Sequence, residues 1–344
     1  MQYSGKVSFI ASLSVLLCSP TLRAEESFSL AGKVFNIHVG TSSGGGYDLY
    51  ARGLARHIGK HLQGTPTVVV KNMPGAGSIV LANYIYSVAP RDGTEIAAFE
   101  HGAAFAPALT GMDVKFDAPK FGWLGSLDSF VPIVLAWHTS NAKSVDDLRV
   151  QALTVGASGA GSSTAGYPYA IDALLGLKMK VVNGYPGNAE MTFAVEKGEI
   201  DGIASWCWDC LKMAKPTWLE QKKVRILLQL SISGDPELTA MGVPTAIDLA
   251  RTERERRLLS IIFASAEFGR PFSAPPGTSD TVLKSLQKAF SDTAQDPEFI
   301  ADMARQKSII RYSKPEALSR LLEAAYSLDE MTRQELREIY TGKR

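Results

Sequence analysis

Twice in this chain a short apolar run passes through a loop of glycines and hydroxyl residues into a stretch of helical periodicity. The first such loop is Gly40-Thr41-Ser42-Ser43-Gly44-Gly45-Gly46-Tyr47-Asp48, and the second is Gly156-Ala157-Ser158-Gly159-Ala160-Gly161-Ser162-Ser163-Thr164. A strand that turns at once into a helix must return over the sheet before the next strand begins, so the pattern predicts an α/β protein with a largely parallel sheet. Val34–Val39, Thr67–Val70 and Thr94–Phe99 read as strands of a first series, with helices over Tyr47–Leu62 and Ser78–Val88 between them. A second series follows Trp123, with strands at Val131–Trp137, Leu153–Gly156, Lys180–Val182, Ile200–Ala204 and Val224–Leu228 and helices from Ser144 and over Asn188–Lys197. From Arg251 onward the periodicity is mainly helical, with Leu318, Leu321, Leu322, Ala325 and Leu328 on one stripe.

The 344 residues are enough for two domains, each with its own core. Thirty-six Lys and Arg against 35 Asp and Glu leave no basic excess, which excludes nucleic acid as an expected partner. The amino terminus departs from the rest. Lys6, the apolar run Val7–Leu17 and the exit Ser19-Pro20-Thr21-Leu22-Arg23-Ala24 predict a secretory leader over residues 1–24, placing the mature protein in the periplasm. Its run is too short for a ~30 Å bilayer. A lipid anchor at Cys18 is the weaker reading, because no small residue precedes that cysteine.

Each glycine loop aims backbone N–H groups and the positive end of a helix dipole at one point, which suits a carboxylate or a phosphate. A tight turn that needs glycines explains one such loop equally well. Two of them, one per series, point to an anion held between domains. The spacing of Gly44, Gly45 and Gly46 is not a dinucleotide fingerprint, and no Gly-Lys-Ser/Thr follows either loop. Ser158 lacks the flanking glycines of a hydrolase nucleophile, so no catalytic residue and no cofactor is expected.

The chain resembles the solute-binding receptors of tripartite tricarboxylate transporters, the Bug proteins. The resemblance rests on Gly44-Gly45-x-x-Asp48 with Ala51-Arg52, Val69-Val70-Lys71-Asn72-Met73-Pro74-Gly75-Ala76-Gly77, Ala89-Pro90-Arg91-Asp92-Gly93-Thr94, Pro107-Ala108-Leu109, Lys143-Ser144-Val145-Asp146-Asp147-Leu148, Tyr185-x-Gly187 and Pro275-Pro276-Gly277-Thr278, in that order. It implies a periplasmic binding protein-like fold of type II, in which two lobes close on a small organic carboxylate and deliver it to membrane permease subunits. The receptor is expected to be a monomer. Residues 25–127 with 232–344 would form one lobe and 128–231 the other. The ligand-contacting set implied is Thr41, Ser42, Ser43, Gly44, Gly45 and Asp48 of the first loop and Ser158, Gly161, Ser162 and Ser163 of the second. Outside that implied set, His101 just beyond the third strand can donate to a carboxylate or serve as a hydrogen-bonded structural histidine, and Tyr185, Ser205 and Trp206 are further candidates. Two positions depart from the family: Gly40 and Thr41 stand where a proline commonly opens the first loop, and Ser205-Trp206 where an acid often follows the strand. Asp48 is expected to brace its loop, since its charge repels a carboxylate.

Cys207-Trp208-Asp209-Cys210 holds two cysteines at a spacing that permits a disulfide in an oxidising compartment. The same spacing is similar to a thioredoxin-type motif, so a secreted thiol-disulfide oxidoreductase is one alternative, and a sensor accessory to a membrane kinase is another. Trp206, Trp208 and Tyr185 can either stack on an aromatic acid or wall off a citrate-like one. His57 and His61 share a helix face without an acidic or third ligand in the pattern, so no metal site is expected. Neither glycine loop carries a basic residue, which predicts that neutral donors hold the carboxylate. Arg52 and Arg270 are the nearest exceptions, with Arg52 expected beyond the ligand's reach.

Overall fold

The structure, a computed structural model, describes residues 28–342 together with 1–3 and 5. The apolar run and cut site of the expected leader, with Cys18, lie outside the described residues. In chain order the first part runs β1 (Val34–Val39), α1 (Gly46–Ile58), β2 (Thr67–Asn72), α2 (Ile79–Ser87), β3 (Glu95–Ala98), α3 (Ala106–Thr110) and β4 (Gly122–Ser126). Next come β5 (Pro132–Trp137), α4 (Asp147–Val150), β6 (Leu153–Ala157), α5 (Ser163–Leu175), β7 (Met179–Asn183), α6 (Asn188–Lys197), β8 (Gly202–Cys207), α7 (Trp208–Ala214), α8 (Pro216–Glu220) and β9 (Val224–Gln229). The last part contains α9 (Pro236–Ala240), α10 (Glu253–Phe263), β10 (Pro271–Ala274), α11 (Asp280–Ala294), α12 (Pro297–Arg305), α13 (Pro315–Tyr326) and α14 (Glu330–Tyr340).

Two sheets result, ordered β2-β1-β3-β10-β4 and β7-β6-β8-β5-β9. Both are mixed, with four strands of each running in one direction, as the largely parallel pattern predicts, and one strand inserted against them. β1 is parallel to β2 and β3, and β6 to β7 and β8, as crossover helices require. β10 instead runs antiparallel between β3 and β4, and β5 antiparallel between β8 and β9. These two strands arrive from the far end of the chain and from the link between the sheets, not through a βαβ crossover.

In β1 both faces are covered: Phe35, Ile37 and Val39 are fully buried, and Asn36 and His38 are buried on the other side, where Glu95 of β3 meets both side chains. The first sheet packs its core against α1, α11 and α12, and the second closes a cluster of Trp137, Trp206 and Trp218. α10 and α14 pack on α5, which covers β8, while α14 also rests on α3 beside the first sheet, so the carboxy-terminal part ties both sheets together. At that junction Tyr340 lies so close to Gly166 that a Cβ there would fall 1.8 Å from its ring.

His57 and His61 are engaged by α12, pairing with Asp302 at 3.1 Å and Asp296 at 2.9 Å. Asp296 and Glu298 do approach His57, but the Lys60 ammonium is paired with both carboxylates, supplying the positive charge there.

Candidate functional site

The first glycine loop is shaped by a buried carboxylate. Asp48, 2% exposed, accepts from the Gly44 N–H at 2.9 Å, the Ser43 hydroxyl at 3.3 Å, Arg52 Nε at 2.8 Å and Asn72 Nδ2 at 2.9 Å. Asn72 also donates to the Thr41 carbonyl at 3.0 Å, tying the end of β2 to the loop. Burial alone would raise the Asp48 pKa, but the hydrogen bonds from Arg52, Gly44 and Asn72 outweigh it and hold the carboxyl below its ordinary value. Asp48→Ala is therefore expected to cost about 1–3 kcal/mol of stability by leaving these donors unpaired. Urea unfolding measures this, and an unchanged midpoint would refute the brace.

With the loop held in this way, α1 begins at Gly46 behind Gly45, which offers no side-chain cap, so its first-turn N–H groups look into the space beyond the sheet. α6 starts comparably behind Gly187, again uncapped. Between them lies a narrow cavity of ≈ 40 Å³. Its walls come from both sheets: Thr41, Gly45, Gly46, Tyr47, Glu100, His101 and Arg270 from the first, and Ser158, Thr164, Gly187, Asn188, Met191, Ser205, Trp206, Cys207 and Cys210 from the second, with Phe130 at the link.

Arg270, one of the two exceptions to neutral donors that the sequence allowed, lines the cavity and dominates its electrostatics. Only 2% exposed, its guanidinium lies against the aromatic rings of Tyr50, Phe130 and Tyr47, at 4.3, 5.0 and 5.4 Å from their centroids. Nη2 donates to Cys210 Sγ at 2.8 Å and Cys207 Sγ at 3.2 Å, both weak acceptors. Asp128 stands 3.6 Å from Nε, too far for a hydrogen bond, and gives its own closer contact of 2.9 Å to Arg311. The cation is thus held by ring faces, sulfur and a longer buried ion pair with Asp128, and Nε makes no hydrogen bond among the described residues.

Across the same cavity Glu100 is 6% exposed and accepts from the Ser163 hydroxyl at 2.6 Å, while Ser205 donates to Ser163 at 2.8 Å. Burial pushes the Glu100 carboxyl up to about 7, although Ser163 and the nearby N–H groups of Gly102 and Ser163 pull it down. His101 is packed between Tyr47, 2.9 Å from Nδ1, and Tyr167, 3.4 Å from Nε2. Burial, aided by the Arg270 charge, lowers its pKa to about 3, so the ring is neutral.

Of the sequence-derived set, Thr41, Gly45, His101, Ser158, Ser205 and Trp206 line the cavity. The others fall elsewhere. Ser42 reaches across to Glu190 at 2.8 Å, and its N–H meets the Pro186 carbonyl at 3.4 Å. Ser43 and Asp48 belong to the brace, and Gly44 lines an adjoining hollow. Gly161 and Ser162 pack against Ile79 and Gly77 where the two halves touch, with the Ser162 hydroxyl turned onto the Gly159 carbonyl at 2.7 Å. Ser163 stands behind Glu100, and Tyr185 packs on the apolar cluster of the second sheet. Arg52 is spent on Asp48 and Asn72 and does not line the cavity. Tyr47, Phe130, Asn188 and Met191 also line the cavity, with little in the sequence to mark them as site residues. Asn188 alone left a trace, as a polar residue opening a helix directly after Gly187.

Cys207 and Cys210 are joined by a disulfide at the start of α7, in the cavity wall. Among the described residues no helix is long and apolar enough to cross a membrane.

No curated protein matches this sequence. Among solved structures the chain is similar to the periplasmic binding protein BugD, at 20% identity and a TM-score of 0.68 over 89% of this chain and 97% of that one. It is similar as well to MatC (Rpa3494) from Rhodopseudomonas palustris with bound malate, at 18% identity and a TM-score of 0.68 over 89% and 98% of the two chains. R. palustris Rpa4515 with adipate gives 19% identity and a TM-score of 0.68 over 88% and 96%. All share the two-lobed α/β fold. Residues 50–323 match the tripartite tricarboxylate transporter family receptor, a family of binding proteins and not of enzymes. The braced glycine loop, the cavity walled from two mixed sheets and this match together make the chain a member of that receptor family.

Proposed function

We propose that this receptor binds a small organic carboxylate in the cavity between its sheets and passes it to the membrane permease subunits of a tripartite transporter. In this reading it works in the periplasm as a monomer, after removal of residues 1–24. Residues 25–127 with 232–344 and residues 128–231 act as the two lobes, with α10 and α14 as the elements that span them. Arg270 is the observation that carries the proposal. A buried guanidinium whose nearest partners are ring faces, sulfur and a displaced carboxylate is a seat for an anion. The starts of α1 and α6 add to it, each favouring negative charge by ~0.3–1 kcal/mol or more. The malate and adipate carried by two similar structures fit the same chemistry. Nothing in the disulfide's setting favours the oxidoreductase alternative: both sulfurs are buried against Arg270.

Thermal-shift measurements on the purified protein test this with monocarboxylates, dicarboxylates, tricarboxylates and aromatic acids beside matched neutral amides. A ligand at a hundred times its Kd stabilises the native state by ~2.7 kcal/mol, enough for a shift of several degrees. At least one carboxylate is expected to give that shift while its amide does not. Equal shifts for acid and amide, or none with any acid, would overturn the proposal.

A further inference from the structure

We propose that the Cys207–Cys210 disulfide is a redox gate on the anion seat: opened by a small dithiol, it sets a Cys207 thiolate against Arg270, where this internal anion competes with the cargo. The inference rests on the carboxylate reading above and adds to it a regulation of the same seat.

The sulfurs are part of that seat. Arg270 Nη2 donates to Cys210 Sγ at 2.8 Å and to Cys207 Sγ at 3.2 Å, and Cys207 Sγ also accepts the Cys210 N–H at 3.0 Å. A Cβ built on Gly46 would fall 2.8 Å from Arg270 Nη1 and 3.2 Å from Cys210 Sγ, so guanidinium, sulfur and the first turn of α1 converge on one point. A neutral disulfide at that point is a weak acceptor and leaves the guanidinium charge to a ligand. The carboxylates nearby are engaged elsewhere: Asp209 lies 3.1 Å from Lys212 and 3.3 Å from Arg311, and Asp128 lies 2.9 Å from Arg311. A cysteine sulfur beside a guanidinium and a backbone N–H favours its thiolate form. The ring faces of Tyr50 and Phe130 around the guanidinium keep water from screening such a pair.

Access is one-sided. Cys207 is 3% exposed and Cys210 5%, too deep for a protein substrate. Cys210 nevertheless lines both the narrow cavity and the adjoining hollow of ≈ 330 Å³, whose wall Cys207 does not share. A small dithiol entering the hollow attacks Cys210 Sγ as its thiolate. The S–S bond breaks, its electron pair leaves on Cys207, and a mixed disulfide forms at Cys210. The second thiol of the reductant then displaces Cys210, which leaves with a proton as a thiol. In total the dithiol gives two electrons and becomes a cyclic disulfide, one proton stays on Cys210 and one goes to solvent. Cys207, with two donors already in place, is the sulfur that keeps the charge.

Calorimetry on oxidised and dithiothreitol-reduced protein tests the gate with propionate, succinate, malate, citrate, glutamate and benzoate. A thiolate seated in about nine molecules of ten lowers the apparent affinity roughly tenfold, so the tightest of these acids is expected to bind about tenfold or more weakly after reduction and to recover on reoxidation. Cys210→Ser should stay weak under oxidising and reducing conditions alike, and the affinity of the Cys207→Ser, Cys210→Ser double variant should not respond to reductant. Independently of any ligand, reduced wild type at neutral pH should show ultraviolet thiolate absorbance that is lost in reduced Arg270→Gln. Alkylation followed by mass spectrometry counts the thiols, and far-UV circular dichroism follows the fold. Reduced protein binding within threefold of oxidised protein, a disulfide that resists dithiothreitol in the folded state, a fold lost on reduction, or thiolate absorbance persisting in Arg270→Gln would each overturn the gate and leave the carboxylate reading standing. An oxidised protein that binds none of these acids would overturn both.

Discussion

Arg270→Gln is expected to weaken carboxylate binding by about 30- to 5,000-fold, the equivalent of about 2–5 kcal/mol for losing one member of a desolvated charge pair. The size follows from burial. Water cannot stand in for the guanidinium where it is 2% exposed, and the remaining donors are neutral hydroxyls and the first turns of α1 and α6. The fold survives the change, because Asp128 keeps Arg311 at 2.9 Å and the Tyr50 hydroxyl at 3.2 Å and so is not left an unpaired buried charge. Calorimetry beside a urea midpoint separates the two effects. Affinity within threefold of wild type in a folded variant would show that the anion sits elsewhere.

A second large effect is expected one residue earlier. Gly269 has φ +61°, and a Cβ built on it falls 1.8 Å from the Asp128 carbonyl oxygen, a backbone atom that cannot swing aside. That same oxygen accepts the Arg270 N–H at 2.9 Å. Gly269→Ala therefore combines an unfavourable backbone conformation with displacement of the segment that positions Arg270, and is expected to destabilise the protein by roughly 2–4 kcal/mol. Urea unfolding with a midpoint unmoved from wild type would contradict this.

Much of the fold was legible because its helices and parallel strands carry strong local signals. Val34–Val39 and Asn188–Lys197 have the bounds their patterns suggest. β10 escaped notice because Pro271-Phe272-Ser273-Ala274 is four residues long and opens with proline, and because an inserted antiparallel strand needs no crossover to announce it. β8 was placed too early, ending at Ala204, whereas the strand carries on through Ser205, Trp206 and Cys207; Ser205, at φ +66°, breaks the regular geometry that a pattern assumes. The site was half legible. Loops that join strand to helix advertise themselves by glycine, so Thr41, Gly45 and Ser158 were found, whereas Arg270 lies some two hundred residues beyond the first loop with no local pattern. The hydroxyls of Ser162 and Ser163 resemble ligand donors in sequence, but one turns onto its own loop and the other onto Glu100.

The contact between the two glycine-bearing turns is made by backbone rather than by long side chains. Gly77 would place a Cβ 2.8 Å from the Ser162 nitrogen, and Gly159 one 2.8 Å from the Ala76 Cα, so main chain lies flat on main chain there. Beside it the Ile79 side chain packs against Gly161, so the seam joins bare backbone with one apolar contact. A methyl group added to either glycine would act as a doorstop, wedging the two turns apart.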